Sequence, residues 1–257
     1  MTGTGLLVAS GISKSYEGIV ALDAVDLEVS DGELVGLVGP NGAGKTTLFD
    51  CLLGVTAPDR GTVSFAGVNL AGMQVYRRAR LGMGRTFQRL ELFSGMTVRE
   101  HLLVAERARR GDGALWKDAM GLGRTTRDEL VRTDRTLTLL GLTDVADRPI
   151  ESLSLGRARL VDVGRALMTE PRLILLDEPS SGLDRWETEA LAASLGAVHR
   201  ERGVAVLLVE HDLELVRAFV SRLYVIESGR VIASGPTEVV LRDELVQSAY
   251  VGQGHEP

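Results

Sequence analysis

The chain has 257 residues, of which 44% are hydrophobic and 25% charged, with a net charge of −6. That length fits one large domain, or one domain carrying an inserted subdomain, and the composition excludes a largely disordered chain except at the last residues, 252–257. The acidic balance argues against a general nucleic-acid binder, and a single cysteine, Cys51, excludes an internal disulfide and suits a reducing compartment.

Taken in chain order, residues 1–35 read as β structure. Val25, Leu27 and Val29 alternate with Asp26 and Glu28, the period of a half-buried strand. Leu34–Val38 is apolar without alternation, as in a strand buried on both faces. A glycine-rich turn follows, then a helix over 45–53 that Gly54 stops. Thr62–Phe65 is another short strand between Gly61 and Gly67.

From about Leu90 to Leu153 the strand signals vanish. Thr97–Arg110 has helical spacing of Val98, Leu102 and Ala105, residues 111–123 read as a loop or broken helix, and Asp128–Leu140 reads as a helix closed by Gly141. Between Arg85 and Arg135 there are 11 basic against 8 acidic side chains. This excess fits either a solvated helical surface or a face toward anionic lipid or a partner's loops. Apolar strands then return at Leu173–Leu176 and Val204–Val209, with a helix over 187–202 between them. A strand–helix–strand unit implies parallel pairing. Leu223–Ile226 and Arg230–Ala233 flank Ser228-Gly229, a hairpin signal. No basic stretch followed by an apolar core opens the chain, and Val204–Val209 is far shorter than the roughly 20 residues of a spanning helix. Any action at a membrane is therefore expected to run through partners.

Two motifs carry chemistry. Gly39-Pro40-Asn41-Gly42-Ala43-Gly44-Lys45-Thr46 fits the phosphate-loop pattern G-x-x-x-x-G-K-[ST]. Its glycines let backbone N–H groups turn around phosphate oxygens, and the following helix points its positive end at the same place. Lys45 is expected to reach the β- and γ-phosphates and the Thr46 hydroxyl to hold Mg²⁺. Leu173-Ile174-Leu175-Leu176-Asp177-Glu178 sets two carboxylates at the C-terminal end of a buried strand, where such sheets bind ligands. Asp177 is expected to hold Mg²⁺ and Glu178 to polarise the attacking water as general base.

With these motifs stand Leu153-Ser154-Leu155-Gly156-Arg157, Ser181-Gly182-Leu183-Asp184 and His211. Together they resemble the ABC ATPases. The family signature Leu-Ser-Gly-Gly-Gln is altered here at Leu155 and Arg157, while Ser154 and Gly156 are kept. The resemblance implies an α/β fold: a phosphate-loop core with a mixed sheet (residues 1–89 and 154–257), an N-terminal antiparallel β subdomain and an inserted helical subdomain (90–153), all forming one domain. It implies ATP and Mg²⁺ as ligands, with Tyr16 stacked on adenine and residues 39–47, Thr47 included, around the phosphates. Gln88 would contact Mg²⁺ and the water, and His211 would touch the γ-phosphate. Ser154, Leu155 and Gly156 would face ATP from a second cassette, the same or a homologous chain, and Asp184 would cross that interface.

Gly84-Arg85-Thr86-Phe87-Gln88, Leu92-Phe93-Ser94-Gly95-Met96-Thr97-Val98 and the tail Ala249-Tyr250-Val251-Gly252 resemble a narrower group, the ATPases of branched-chain amino acid importers. Urea and amide importers and the lipopolysaccharide-export ATPase share much of this pattern. A non-transport ABC ATPase acting on DNA or ribosomes is the remaining alternative. The importer resemblance implies two transmembrane permease subunits, an external solute-binding protein, no nucleic acid, and a peripheral place on the cytoplasmic face of the membrane. A permease helix would lie in a groove lined by 87–98. The other reading of Phe87, Leu92 and Phe93 is plain core packing. Cys51 is expected to be a buried filler.

Overall fold

A computed structural model describes residues 5–86, 92–110 and 125–251. Its frame is two sheets. The smaller is antiparallel, with β1 (Leu7–Tyr16), β2 (Ile19–Val29), β4 (Arg60–Phe65) and β5 (Val68–Asn69) in the order β2-β1-β4-β5. The larger has the order β10-β9-β3-β8-β7-β6, from β3 (Leu34–Val38), β6 (Met83–Arg85), β7 (Leu173–Asp177), β8 (Ala205–Val209), β9 (Arg222–Glu227) and β10 (Arg230–Pro236). Strands β6, β7, β8, β3 and β9 pair in parallel, and β10 runs antiparallel on the edge. The fold is thus α/β with a mixed sheet and a separate antiparallel one, as expected.

Three hairpins close on two-residue turns whose central residues both have positive φ, Glu17-Gly18, Ala66-Gly67 and Ser228-Gly229. That geometry matches the right-handed twist of the strands it joins.

The apolar strands alternate between two cores. Val38, Ile174, Leu176, Val206, Leu208, Leu223 and Val225 face one way, while Leu37, Leu173, Leu175, Ala205, Leu207, Val209 and Ile226 face the other. Both faces are dry, so the strands show no polar alternation. Each fully buried Leu or Val contributes about 1.5–3 kcal/mol. The second core holds helix α1 (Lys45–Leu53) and the antiparallel sheet. Cys51 lies in it as a buried filler, with burial pushing its thiol up to about 11.

The first core is covered by helices. They are α3 (Val98–Arg110), α4 (Arg127–Leu139), α5 (Leu155–Met168), α6 (Arg185–Arg202) and α7 (Leu213–Phe219). Among the helices read from sequence, α4 begins one residue earlier than expected because Thr126 caps it, in a reciprocal capping box with Glu129. Helix α6 begins two residues earlier because Asp184 accepts the Glu187 N–H at 2.8 Å. Gly54 and Gly203 end α1 and α6 in the left-handed conformation. Short elements with few residues to pattern were not anticipated: β5, β6 and α2 (Val75–Arg80), and at the C-terminal end α8 (Thr237–Val240) and α9 (Glu244–Val251).

Four of the arginines in the basic middle segment are held in ion pairs. Arg99 pairs with Asp134 and Asp147, Arg109 and Arg132 with Glu106 and Glu170, and Arg107 with Glu129. The expected loop over 111–123 lies outside the described residues.

Candidate nucleotide site

Register brings the candidate residues together. Leu37 of β3, Val209 of β8 and Asp177 of β7 lie in one row across three adjacent parallel strands. Each chain leaves its strand at that row, into the loop from Gly39, into Glu210-His211 and into Glu178. The site is therefore the C-terminal edge of the sheet, where strand ends diverge and leave room for a ligand.

The phosphate loop is shaped by close approach. A Cβ on Gly39 would sit 2.1 Å from the Ile226 carbonyl oxygen, and one on Gly44, at φ 106°, 2.6 Å from that of Ala21. The loop is pinned from behind by the β9–β10 turn, where Gly229 donates to the Ala43 carbonyl and accepts from the Asp23 N–H, both at 2.9 Å. Helix α1 has no side-chain cap and no acid in its first turn, so its N-terminal N–H groups face the loop as open donors. The Lys45 ammonium, almost fully buried, donates to the carbonyls of Gly39 at 2.6 Å and Pro40 at 3.0 Å. Burial pushes its pKa down, and the charges of Glu178 and Asp177 push back.

Asp177 is pushed up to about 6, by burial first and then by the carboxylates of Glu178, Asp50 and Glu210, against the charge of Arg85. A carboxyl raised for these reasons is one that a divalent cation relieves. Thr46, exposed on the first turn of α1, offers a hydroxyl of the same hard-oxygen kind, which suits Mg²⁺. Among the described residues no cluster of three or more His, Cys, Asp or Glu could hold a metal by itself. The donors here suit an ion that keeps waters and takes phosphate oxygens.

Glu178 has φ 45°, a left-handed conformation that costs a non-glycine residue about 1–3 kcal/mol and that concentrates at functional sites. Its N–H donates to the Val209 carbonyl at 2.9 Å. His211 has a mostly exposed ring, with Nδ1 3.7 Å from Glu210 Oε2. Tyr16 ends β1, is 46% exposed and has the Lys14 ammonium 5.4 Å from its ring centroid. Its open face suits a planar base.

The remaining residues form a second group. Ser154 caps α5 and accepts from the Arg157 N–H, Gly156 N–H donates to Glu187 Oε1 at 3.1 Å, and Arg157 pairs with Asp144 at 2.7 Å. Leu155 is partly exposed, and a Cβ on Gly182 would lie 3.1 Å from its Cδ2, so the start of α5 packs on the 181–184 loop. Asp184 is exposed and caps α6. Sequence reasoning missed Glu187, whose only signal was an acid in the first turn of a helix, and Glu210, an acid closing an otherwise apolar strand.

Gln88 and Phe87 lie outside the described residues. Leu92 packs against the core, whereas Phe93 is exposed and lines a cleft of about 540 Å³ with Val75, Val104, Ala105 and Arg165. Core packing is thus met at Leu92 and not at Phe93.

A phosphate loop and an acidic strand end on one edge of a parallel sheet define a P-loop nucleotide hydrolase. The family profile described as ABC transporter matches residues 22–181. The chain is 36% identical over 251 residues to the branched-chain amino acid transport ATP-binding proteins LivG of Salmonella typhimurium and BraF of Pseudomonas aeruginosa, covering 96% of this chain and 98% of each relative. It is 33% identical over 250 residues to the lipopolysaccharide export ATP-binding protein LptB of Acidithiobacillus ferridurans, covering 96% and 97%. Among solved structures it resembles the ADP conformation of MJ1267, an ATP-binding cassette of an ABC transporter, with TM-score 0.82, 29% identity and coverage of 98% and 100%. The chain belongs to the ABC transporter ATP-binding family, and it is an ATPase.

Proposed function

We propose that the chain is the motor subunit of an ABC importer for branched-chain or related amino acids. The observation that carries the motor reading is the meeting of Lys45, Asp177, Glu178 and His211 at adjacent strand ends, while the start of α5 packs on the 181–184 loop. The importer reading is supported by the 36% identity that spans both chains almost completely.

In this reading residues 39–47 wrap the phosphates of ATP, with Lys45 exchanging its loop carbonyls for phosphate oxygens. Tyr16 stacks on adenine. Thr46, Asp177 and Gln88 would hold Mg²⁺, which would supply positive charge to offset that of the phosphates. Glu178 accepts the proton of the attacking water, and His211 steadies the γ-phosphate. The start of α5, with Ser154, Leu155 and Gly156, closes on the ATP of a second cassette, the same or a homologous chain, and Asp184 lies along that interface. ATP then binds two surfaces, and its hydrolysis releases them.

The chain acts as one domain, with residues 90–153 as its helical insertion. The Phe93 cleft receives a helix from one of two transmembrane permeases, the second cassette takes one from the other, and an external solute-binding protein delivers the solute. Among the described residues no helix is long and apolar enough to cross a membrane. Attachment to the cytoplasmic face through the permeases fits that. Lipopolysaccharide export is the second reading, favoured by the 33% identity to LptB.

Affinity capture from gently solubilised native membranes distinguishes them. The importer reading expects two polytopic permeases, a second ATPase chain and a solute-binding protein. Capture of export machinery would move the chain to the other branch, and capture of nucleic-acid proteins without membrane proteins would end the transport reading.

A further inference from the structure

Glu210 closes β8 with a side chain that is fully buried, one residue before His211. Its Oε1 accepts the Ser180 N–H at 2.9 Å, from the turn that begins at Glu178. Its Oε2 accepts the N–H of His211 at 3.0 Å and that of Asp212 at 3.4 Å. Its own backbone N–H donates to the Leu37 carbonyl at 3.3 Å, two residues before the phosphate loop. One carboxylate therefore holds donors from two loops, while its backbone is tied to the strand feeding the third. Burying a carboxylate is costly unless its oxygens are satisfied. Three backbone N–H groups satisfy these, and all three come from segments that carry candidate site residues.

We infer that Glu210 is a positioning residue that locks the Glu178 loop to the His211 loop, so that base and histidine meet the γ-phosphate as one unit. The left-handed conformation of Glu178 makes such a lock useful. That residue holds an unfavourable φ, and the backbone two residues on is fixed by Oε1. On the other side, fixing the N–H groups of His211 and Asp212 sets where the exposed ring can reach. Among the described residues no hydrogen bond joins the Glu210 side chain to the phosphate loop, so the lock acts on the geometry of the chemical step rather than on ATP affinity.

This inference rests on the motor reading above, and the test separates the two. Glu210→Gln keeps the volume but leaves one acceptor oxygen, so one loop loses its bond in either amide orientation. The full-length chain is assayed for ATP turnover as wild type, Glu210→Gln, His211→Ala and the double variant, with thermal melting as the folding control. The expected result is a folded Glu210→Gln protein with kcat at least about tenfold lower and KM for ATP within about twofold of wild type. In the His211→Ala background the further loss should be much smaller, because the lock then has only one loop to position. A kcat within twofold of wild type overturns the inference. So does a defect lying in KM, or a loss that multiplies unchanged onto His211→Ala. Wild-type turnover by His211→Ala alone would overturn it too, since base and histidine would then not act as one unit.

Discussion

Lys45 is the clearest case of a residue whose chemistry is set by what surrounds it. Its ammonium is nearly buried, bonded to two carbonyls of its own loop and faced by two acids. A phosphate offers it charged oxygens in place of neutral ones, and hydrogen bonds to charged groups are worth about 1.5–3 kcal/mol. Lys45→Ala should therefore weaken ATP binding roughly 10- to 100-fold in a titration calorimetry experiment. Unchanged affinity would count against the phosphate-loop reading. At this scale the sequence was most informative where residue type and spacing are both constrained by a ligand, as at Gly39–Thr46. Glu210 and Glu187 were not legible, because an acid at a strand end or in a helix's first turn is ordinary until the N–H groups around it are known.

At the scale of elements, the loop depends on absent side chains. Gly39→Ala would drive a methyl group into the Ile226 carbonyl at 2.1 Å. The loop or β9 must move, at a cost of about 1–3 kcal/mol, and chemical denaturation should show that loss together with weaker ATP binding. The segment leading into α3 has a different latch. His101 is buried, accepts the Phe93 N–H at 2.9 Å through Nε2, lies 2.8 Å from the Thr97 carbonyl through Nδ1 and stacks on the Phe93 ring. Burial lowers its pKa, the Thr97 carbonyl opposes this, Arg165 adds to the lowering, and Glu100 and Glu151 oppose it. The neutral ring is thus the folded form. Its contribution is complete above the unfolded value of about 6.5 and is lost as pH falls below that toward the lowered folded value. Melting temperature should fall more steeply with acid for wild type than for His101→Gln, whose amide can accept from Phe93 and donate to Thr97 without titrating. Equal pH slopes would remove His101 as the source. Elements with two dry faces or strong caps were readable from sequence, such as Leu34–Val38 and the helix stopped by Gly54. Two of the three hairpin turns, Glu17-Gly18 and Ala66-Gly67, carried the same X-Gly signal as Ser228-Gly229 and passed unread because their flanking strands alternate less cleanly.

At the scale of the molecule, α/β class, parallel core and family followed from motifs held in a fixed order along the chain. The packing of Leu155 on Gly182 did not, since it depends on how α5 lies against the 181–184 loop and α6. In the proposed reading the start of α5 acts on the ATP of a second cassette, so a single chain is incomplete as a catalyst. The central claim is that each ATP lies between the phosphate loop of one cassette and the start of α5 from another. The most direct test mixes two variants of this chain and measures phosphate release. Ser154→Arg blocks the α5 face but keeps Glu178, whereas Glu178→Gln removes the base and should slow turnover by about 10²-fold or more, yet keeps Ser154. The account predicts that neither variant alone turns over ATP and that the mixture recovers a substantial fraction of wild-type activity, because a mixed pair holds one complete site. Wild-type turnover by Ser154→Arg alone would contradict it, since the site would then be complete within one chain.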